Sequence, residues 1–366
     1  MSPVHALDRF YLLLTLLVTI GYQLLGFAIA WTLQFDKITD FTGGTCYLTS
    51  ALLALLAGNT FHARNIVASI LVMVWAARIA GFLLFRVLKM GSDTRFDEIR
   101  SHFWKFFGQM LWVCTSPLRV FCETLTLVSK IWTVSLPLTI LNSPAVSDLA
   151  SSGSNPKFGT SRDIAGIIIW TLGFVIETVA DAQKYHYKAN KIIPRSQPTN
   201  VIPFPTYFVE KCLTVRGLWA WSRHPPYFGE IMCWWGIWIL CLSPTTNGQL
   251  PSSSRAAQYG SIVSPIFTLV LLMFGSGVPT AEKPTAKRFF VLSKGQNSRE
   301  EHAAAWENYQ EYLRKTSILI PLPPWLYRPL PSIIKRTLLL DFPIYQFDES
   351  TDGAAALDEA KNSRRE

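Results

Sequence analysis

Repeated apolar stretches of about twenty residues constrain the fold of this chain more than any other feature. The longest, Phe10–Leu33, contains no Asp, Glu, Lys or Arg. A helix of that length can cross the bilayer core, because every backbone N–H and C=O must be hydrogen-bonded internally there. The sequence therefore predicts an all-α, polytopic membrane helix bundle with about seven transmembrane helices. The other candidate spans are Cys46–Ala57, Ile66–Leu88, one segment within Phe106–Leu141, Ile164–Ala180, Phe228–Ser243 and Tyr259–Val278.

The composition agrees with a membrane environment. Of the 366 residues, 49% are hydrophobic and only 16% are charged, whereas an ordinary soluble domain has roughly 25% charged residues. The 13 Trp and 12 Tyr residues suit the aromatic belts that form at membrane–water interfaces. No C-x-x-C pair, Walker A loop, G-x-G-x-x-G or H-E-x-x-H motif occurs. Without a C-x-x-C pair no zinc site is indicated, and we assign no metal ligands. The other absences weaken the familiar soluble nucleotide-binding and hydrolase classes.

The positions of the charges predict the orientation of the bundle. A formal net charge of +9 could indicate a nucleic-acid partner, but the basic residues cluster in loops beside the spans, as membrane topology requires. The Lys184–Tyr227 connection holds seven basic residues and one acid, which is typical of a cytoplasmic loop. We therefore expect no nucleic-acid partner, a lumenal N-terminus and a cytosolic C-terminus. The expected location is the endoplasmic reticulum membrane, as a multi-pass protein.

Three regions follow one another along the chain. Residues 1–282 hold the predicted spans. Residues 283–347 combine a polar, helix-prone stretch with a proline-rich, aromatic segment, and we expect a cytosolic helix followed by a strap on the membrane surface. Residues 348–366 are acidic and small, which predicts a disordered tail.

One face of the fifth predicted span changes from small to charged residues. The residues of this face recur at steps of three or four and therefore lie on one side of a helix. Its glycines would allow a neighbouring helix to approach closely. A carboxylate near the end of a span is costly unless it faces a wet cavity or a partner, so Asp181 either lines a site or pairs with Lys184 or Lys188. The face consists of Gly166, Trp170, Gly173, Glu177, Asp181, Lys184 and Lys188.

A second candidate site lies at the start of the sixth predicted span. Pro225 and Pro226 fit the first positions of a helix, and Glu230 lies in its first turns, where the helix dipole favours an anion. Arg223 and His224 come directly before this start. They are placed to bind a phosphate at a helix N-terminus. The alternative is that Arg223 faces lipid headgroups and His224 caps the helix.

A third candidate lies in the stretch Glu301–Pro321, where Trp306, Tyr309 and Leu313 share one side of a predicted helix. His302, Tyr309 and Tyr312 could close over a site at the membrane face. The alternative is that this aromatic side packs against the bundle.

Five segments together resemble a known family of membrane enzymes. They are WAARIAGFLLFRVLKMGSDTRFDEIR (75–100), SLPLTILNS (135–143), GFVIETVADAQKYHYK (173–188), SRHPPYFGE (222–230) and the Tyr-x-x-Tyr segment that ends in TSILIP (309–321). From about residue 72, the chain resembles the domain-of-unknown-function branch of the steroid 5-alpha-reductase (3-oxo-5-alpha-steroid 4-dehydrogenase) C-terminal-domain superfamily. This superfamily is distantly related to isoprenylcysteine carboxyl methyltransferase.

The resemblance implies a seven-helix fold with a cytosol-facing cavity, in which NADPH delivers hydride to an enone. Two departures from the family pattern stand out: Pro226 replaces the usual Asn, and the FLLFR segment (82–86) lacks the Tyr that polarises the enone carbonyl. No catalytic acid is therefore assigned. The cofactor-binding residues carried over by motif are Glu177, Asp181 and Lys188 from the fifth helix, Arg223, His224, Tyr227 and Glu230 from the sixth, and Tyr309 and Tyr312 from the cytosolic tail.

Three functions are compatible with these residues. The leading hypothesis is an NADPH-dependent reductase of a carbon–carbon double bond in a lipophilic, sterol- or isoprenoid-like substrate, and hence a role in lipid metabolism. The second is an S-adenosylmethionine-dependent methyltransferase acting on a prenyl or lipid acceptor. The third is a non-catalytic membrane protein that keeps the fold. The predicted partners are the lipid bilayer and the lipophilic substrate, and no oligomeric state is predicted.

Overall fold

The computed structural model describes residues 3–32, 38–59, 61–90, 117–151, 155–192, 217–247, 249–295 and 302–362. Over these residues the chain folds into helices without any β-strand, which confirms the all-α prediction. The helices are α1 Leu12–Thr32, α2 Ile38–Gly58, α3 Ala63–Met90, α4 Pro117–Asn142, α5 Pro144–Ser151, α6 Ser161–Ile192, α7 Pro225–Cys241, α8 Ser252–Gly260, α9 Val263–Val270, α10 Val278–Lys294, α11 Ala305–Lys315, α12 Pro324–Tyr327, α13 Ser332–Thr337 and α14 Gly353–Asn362.

Five segments of the described chain are long and apolar enough to cross a membrane, and the chain is therefore an integral membrane protein. Helix α7 covers most of the predicted span Phe228–Ser243, but it has only 17 residues, fewer than the roughly 20 that a bilayer core requires. The count of seven spans stays a prediction. The five segments are Leu12–Ile29, Phe41–Gly58, Ala63–Phe85, Ser161–His186 and Ser252–Lys294.

The described chain divides into two compact units. The first consists of Met1–Thr171 and Cys233–Thr268, and the second of Leu172–Met232 and Leu269–Glu366. In the first unit, Tyr47, Trp75 and Trp234 form a buried aromatic cluster, with ring centroids 4.9 Å apart for the two indoles. Edge-to-face contacts of this kind stabilise a core beyond the area that they bury.

Helices α6 and α7 approach each other through glycines, as the sequence predicts. A Cβ atom on Gly236 would lie 2.6 Å from the carbonyl oxygen of Gly166 in the first unit, and one on Gly229 would lie 2.6 Å from that of Gly173 in the second. Real Cβ atoms do not come this close to a carbonyl oxygen. The glycines are therefore required for the backbone contact that brings the two helices together.

The second unit also contains the end of the last candidate span and the helices that follow it. Phe289 and Phe290 of α10 pack against Trp306 and Tyr309 of α11, and all four side chains are buried. Here the structure differs from the predicted disordered tail, because residues 353–362 form α14. The alanine-rich segment buries Ala356 in the same cluster. The acidic composition of residues 348–366 predicted disorder, but the apolar side of α14 packs against α10 and thereby stabilises the helix.

Candidate functional site

The Ser222–Pro226 turn is held against the segment that follows α11. The Arg223 backbone N–H donates to the Ser317 carbonyl at 2.8 Å, and the Ser222 hydroxyl donates to the Leu319 carbonyl at 2.7 Å. Two of the five segments that carry the family resemblance, SRHPPYFGE and TSILIP, therefore meet in the second unit. The turn enters α7 at Pro225, where the missing N–H needs no intrahelical partner.

Arg223 is the centre of a buried charge network. Its Nη1 atom donates to Glu282 Oε2 at 2.5 Å and its Nη2 atom to Asp341 Oδ1 at 2.8 Å. His224 Nε2 lies 2.7 Å from the second oxygen of Glu282. Only 7% of Arg223, 8% of His224 and 6% of Glu282 is exposed to solvent. The two acids therefore neutralise a guanidinium that would be very costly to bury alone.

The charge states of the network follow from these pairings. Burial alone would lower the pKa of Arg223, but the carboxylates of Glu282 and Asp341 outweigh it, so that the pKa is raised above its ordinary value. Tyr327 donates to Asp341 Oδ2 at 2.5 Å. Burial, and then the Asp341 carboxylate, raise the pKa of the Tyr327 phenol. The guanidinium therefore stays charged, and the phenol stays protonated.

The predicted residues of α7 and α6 lie next to this network. The Tyr227 ring stacks on the His224 ring, with centroids 5.1 Å apart. The carboxylates of Glu230 and Asp181 are close enough to Tyr227 to act electrostatically on its phenol. Aromatic, imidazole and carboxylate groups thus line one side of the turn.

Tyr309 approaches the network from α11. Burial, followed by the charge of Glu282, raises the pKa of its phenol, while Arg223 opposes that rise. Of the predicted residues, the structure therefore brings Asp181, Arg223, His224, Tyr227, Glu230 and Tyr309 together.

The other three predicted residues have different surroundings. Glu177 is buried, and its Cβ lies 2.8 Å from the position of a Cβ built on Gly229. The Tyr312 hydroxyl donates to the Trp219 carbonyl at 3.0 Å, which fixes the chain just before the turn. Lys188 belongs to α6, but its side chain lies outside the described residues.

Neither interpretation of Arg223 from the sequence describes its environment. The side chain does not face headgroups, because it is buried. Its two terminal nitrogens already bind carboxylates, so a phosphate there would be repelled by two neighbouring negative charges. The Nε atom is also buried and has no hydrogen-bond acceptor among the described residues, so its N–H could donate to a neutral acceptor or a water.

Sequence reasoning missed Glu282, Asp341 and Tyr327. Two of them carried a signal: Glu282 lies near the end of the last apolar stretch, and Asp341 is the single acid in the segment 322–347. An acid in such apolar surroundings needs a cationic partner. The pairing partner, Arg223, lies 59 and 118 residues away, and the local pattern does not reveal it.

The comparisons with known proteins identify a family. No curated protein and no solved structure matches this chain. A family model described as a protein of unknown function, DUF1295, matches residues 26–297. This range contains the Ser222–Pro226 turn and Glu282, and it is consistent with the predicted domain-of-unknown-function branch, while the relationship to steroid reductases stays a prediction. Because the match covers most of the chain, the protein belongs to the DUF1295 family.

Proposed function

We propose that this protein is a membrane-embedded, NADPH-dependent reductase of a carbon–carbon double bond in a lipophilic, sterol- or isoprenoid-like substrate. The observation that carries the proposal is the convergence of Asp181, Tyr227 and Glu230 beside His224 and Arg223 in one compact unit. These residues come from the motifs on which the resemblance to steroid reductases rests.

The side chains fit the two halves of NADPH differently. The sugar hydroxyls and the carboxamide of the nicotinamide half need hydrogen-bond acceptors, and Asp181, Glu230 and Tyr227 supply them. The phosphate half needs cations, and the charge of Arg223 is already neutralised by Glu282 and Asp341. We assign the phosphates to Lys184 and Lys188, which lie one turn apart on α6.

Bound NADPH supplies the hydride, and the protein supplies orientation and shielding. Stacking on His224 holds the Tyr227 ring beside the carboxylates. The Arg223 network would exclude bulk water from its side of the site, because its side chains are buried. A lipophilic substrate would enter from the bilayer.

The same proposal includes seven spans in the endoplasmic reticulum membrane, with the N-terminus lumenal and the site on the cytosolic side. It is supported by the seven basic residues of the Lys184–Tyr227 connection, because short cytoplasmic loops collect Lys and Arg.

One observation favours a methyltransferase instead. The charged groups that act on the Tyr227 phenol are the carboxylates of Glu230 and Asp181, while Arg223 is already paired with two further acids, Glu282 and Asp341. S-adenosylmethionine carries a sulfonium cation, which an acidic surrounding stabilises, whereas NADPH is a polyanion. The methyltransferase is therefore the second candidate.

Ligand-dependent thermal stability of the detergent-purified protein separates the candidates. A ligand that binds only the folded state adds about 2.7 kcal/mol at 100 times its dissociation constant. We expect NADPH to stabilise the protein more than NADH. We also expect Asp181→Asn and Glu230→Gln to reduce that shift, while Asp358→Asn, on the exposed side of α14, leaves it unchanged.

Two other outcomes would each support one of the alternative functions. Stabilisation by S-adenosylmethionine alone would contradict the reductase and support the methyltransferase. No response to any of the three ligands would support the non-catalytic alternative.

A further inference from the structure

The segment 322–347, which we call the C-terminal strap, has one side fixed to the protein. The Tyr327 hydroxyl donates to Asp341, and Asp341 binds Arg223. The Tyr345 hydroxyl donates to the Met273 carbonyl at 2.6 Å. Tyr327, Leu339, Asp341 and Tyr345 are all buried. The strap therefore has a defined inner side and a defined outer side.

The outer side of the strap is unusually apolar. Trp325 is 75% exposed, Ile333 68%, Leu338 70% and Ile344 62%. Single exposed apolar residues are common on protein surfaces, but several large ones within one short segment mark an interaction surface. Trp325 lies in the short helix α12 and Ile333 in the short helix α13, and Leu338 directly follows α13.

The exposed charges of the strap all have one sign. Its basic residues are Arg328, Lys335 and Arg336, and its one acid, Asp341, is buried against Arg223. Arg328 and Arg336 are exposed, and Lys335 is partly exposed, with its Nζ atom 4.4 Å from the centre of the Tyr327 ring. Apolar side chains beside exposed positive charge are complementary to an anionic lipid surface.

The outer side is also continuous with the last candidate span. The Phe342 ring stacks on Phe274, with centroids 5.6 Å apart. Phe274 and Val270, which lie one turn apart within the span Ser252–Lys294, are 54% and 48% exposed. A span with an exposed apolar face meets lipid tails there, so the strap lies beside a lipid-facing surface.

We propose that the C-terminal strap binds the anionic phospholipids of the membrane surface. Trp325, Ile333 and Leu338 insert at the boundary between headgroups and acyl chains. The side chains of Arg328, Lys335 and Arg336 bind the lipid phosphates and carboxylates. Each Lys or Arg held near an anionic leaflet adds roughly a fivefold preference for that surface.

Hydrogen–deuterium exchange of the full-length protein in nanodiscs tests the proposal. The strap is compared in discs of phosphatidylcholine alone and in discs that also contain phosphatidylserine. We expect amide exchange in α13 to slow at least about tenfold in the anionic discs, and high salt to reverse this protection. The combined variant Arg328→Gln, Lys335→Gln and Arg336→Gln should lose the difference between the two lipids.

Two further variants separate the effect of the strap's own charges from that of its apolar side chains and of positive charge elsewhere in the protein. Lys294→Gln, Arg314→Gln and Lys315→Gln together remove the same charge outside the strap, where the side chains are exposed or partly exposed, and should keep the lipid effect. The pair Ile333→Ser and Leu338→Ser should raise exchange of the strap in both lipids. Equal exchange in the two lipids for the wild-type protein would overturn the proposal. Protection that follows the number of protein copies per disc would overturn it as well, because a second copy would then cover the strap.

Discussion

Asp341→Asn provides a quantitative test of the Arg223 network. The charges of Asp341 and Arg223 meet at 2.8 Å, with side-chain exposures of 11% and 6%. At an effective dielectric constant of about 20, this distance corresponds to an attraction of roughly 6 kcal/mol, much of which offsets the desolvation of the two groups. Removing one partner of a buried pair costs about 3–5 kcal/mol. Because Arg223 keeps Glu282, we expect Asp341→Asn to cost about 3 kcal/mol.

A double-mutant cycle with Tyr327 measures the separate contribution of the hydrogen bond between Tyr327 and Asp341. Asparagine retains an oxygen that can accept from the Tyr327 phenol, whereas Asp341→Ala removes it and should cost about 1 kcal/mol more. Tyr327→Phe should therefore cost about 1 kcal/mol in the wild-type protein and close to nothing in Asp341→Ala.

The free energy of unfolding is measured in mixed micelles by titration with a denaturing detergent. Asp358→Asn is the matched control, since Asp358 is 72% exposed and its loss should change stability by less than about 0.5 kcal/mol. If Asp341→Asn costs no more than this control, the network does not stabilise the second unit and the reasoning is refuted.

Three further predictions concern the helix contact, the pH dependence and the cofactor. Gly229→Ala places a Cβ 2.6 Å from the Gly173 carbonyl oxygen and should destabilise the protein by about 1–3 kcal/mol in thermal unfolding scans. The control is Gly43→Ala, whose new Cβ would have no atom of a neighbouring described residue within 4 Å. This control should be neutral or stabilising in the same scans. The pKa of Tyr327 is raised from 10.0, so the stability that its neutral phenol provides is complete below about pH 10 and declines above it. A difference titration of tyrosinate absorbance between wild type and Tyr327→Phe should show no ionisation of Tyr327 in the folded protein up to about pH 10, and a transition below that pH would contradict the burial argument. Pro226→Asn introduces the amide that the family resemblance places at this position and, under the proposed function, should tighten NADPH binding about tenfold in equilibrium titrations. An unchanged or larger dissociation constant would contradict this.

The sequence could predict those parts of the fold that depend on local patterns of residues. Uncharged runs such as Phe10–Leu33 have no stable alternative to a helix in a bilayer. The three- and four-residue spacing of Gly166 and Gly173 likewise specifies a face that a second helix can approach. The family resemblance brought the Ser222–Pro226 turn and Tyr309 into one candidate site.

What could not be predicted depends on long-range pairing. Nothing near Glu282 or Asp341 in the chain indicates that Arg223 is their partner, because the three residues meet only after α10 and the strap have folded. The helix α14 was missed for a related reason: Ala356 has an apolar surface to cover only once Phe290 and Trp306 are in place. Local composition does not indicate such surfaces, because they form only when distant segments of the chain pack together.

Hydride transfer to a membrane lipid is tested most directly with NADPH deuterated at C4 of the nicotinamide ring. The purified protein is reconstituted in a total lipid extract, and the lipids are followed by mass spectrometry. We predict that one lipid class gains a single deuterium on carbon together with one solvent proton, and that this labelling is lost in the combined variant Asp181→Asn and Glu230→Gln. NADPH binding without deuterium in any lipid, or transfer of a labelled methyl group from S-adenosylmethionine, would contradict the reductase.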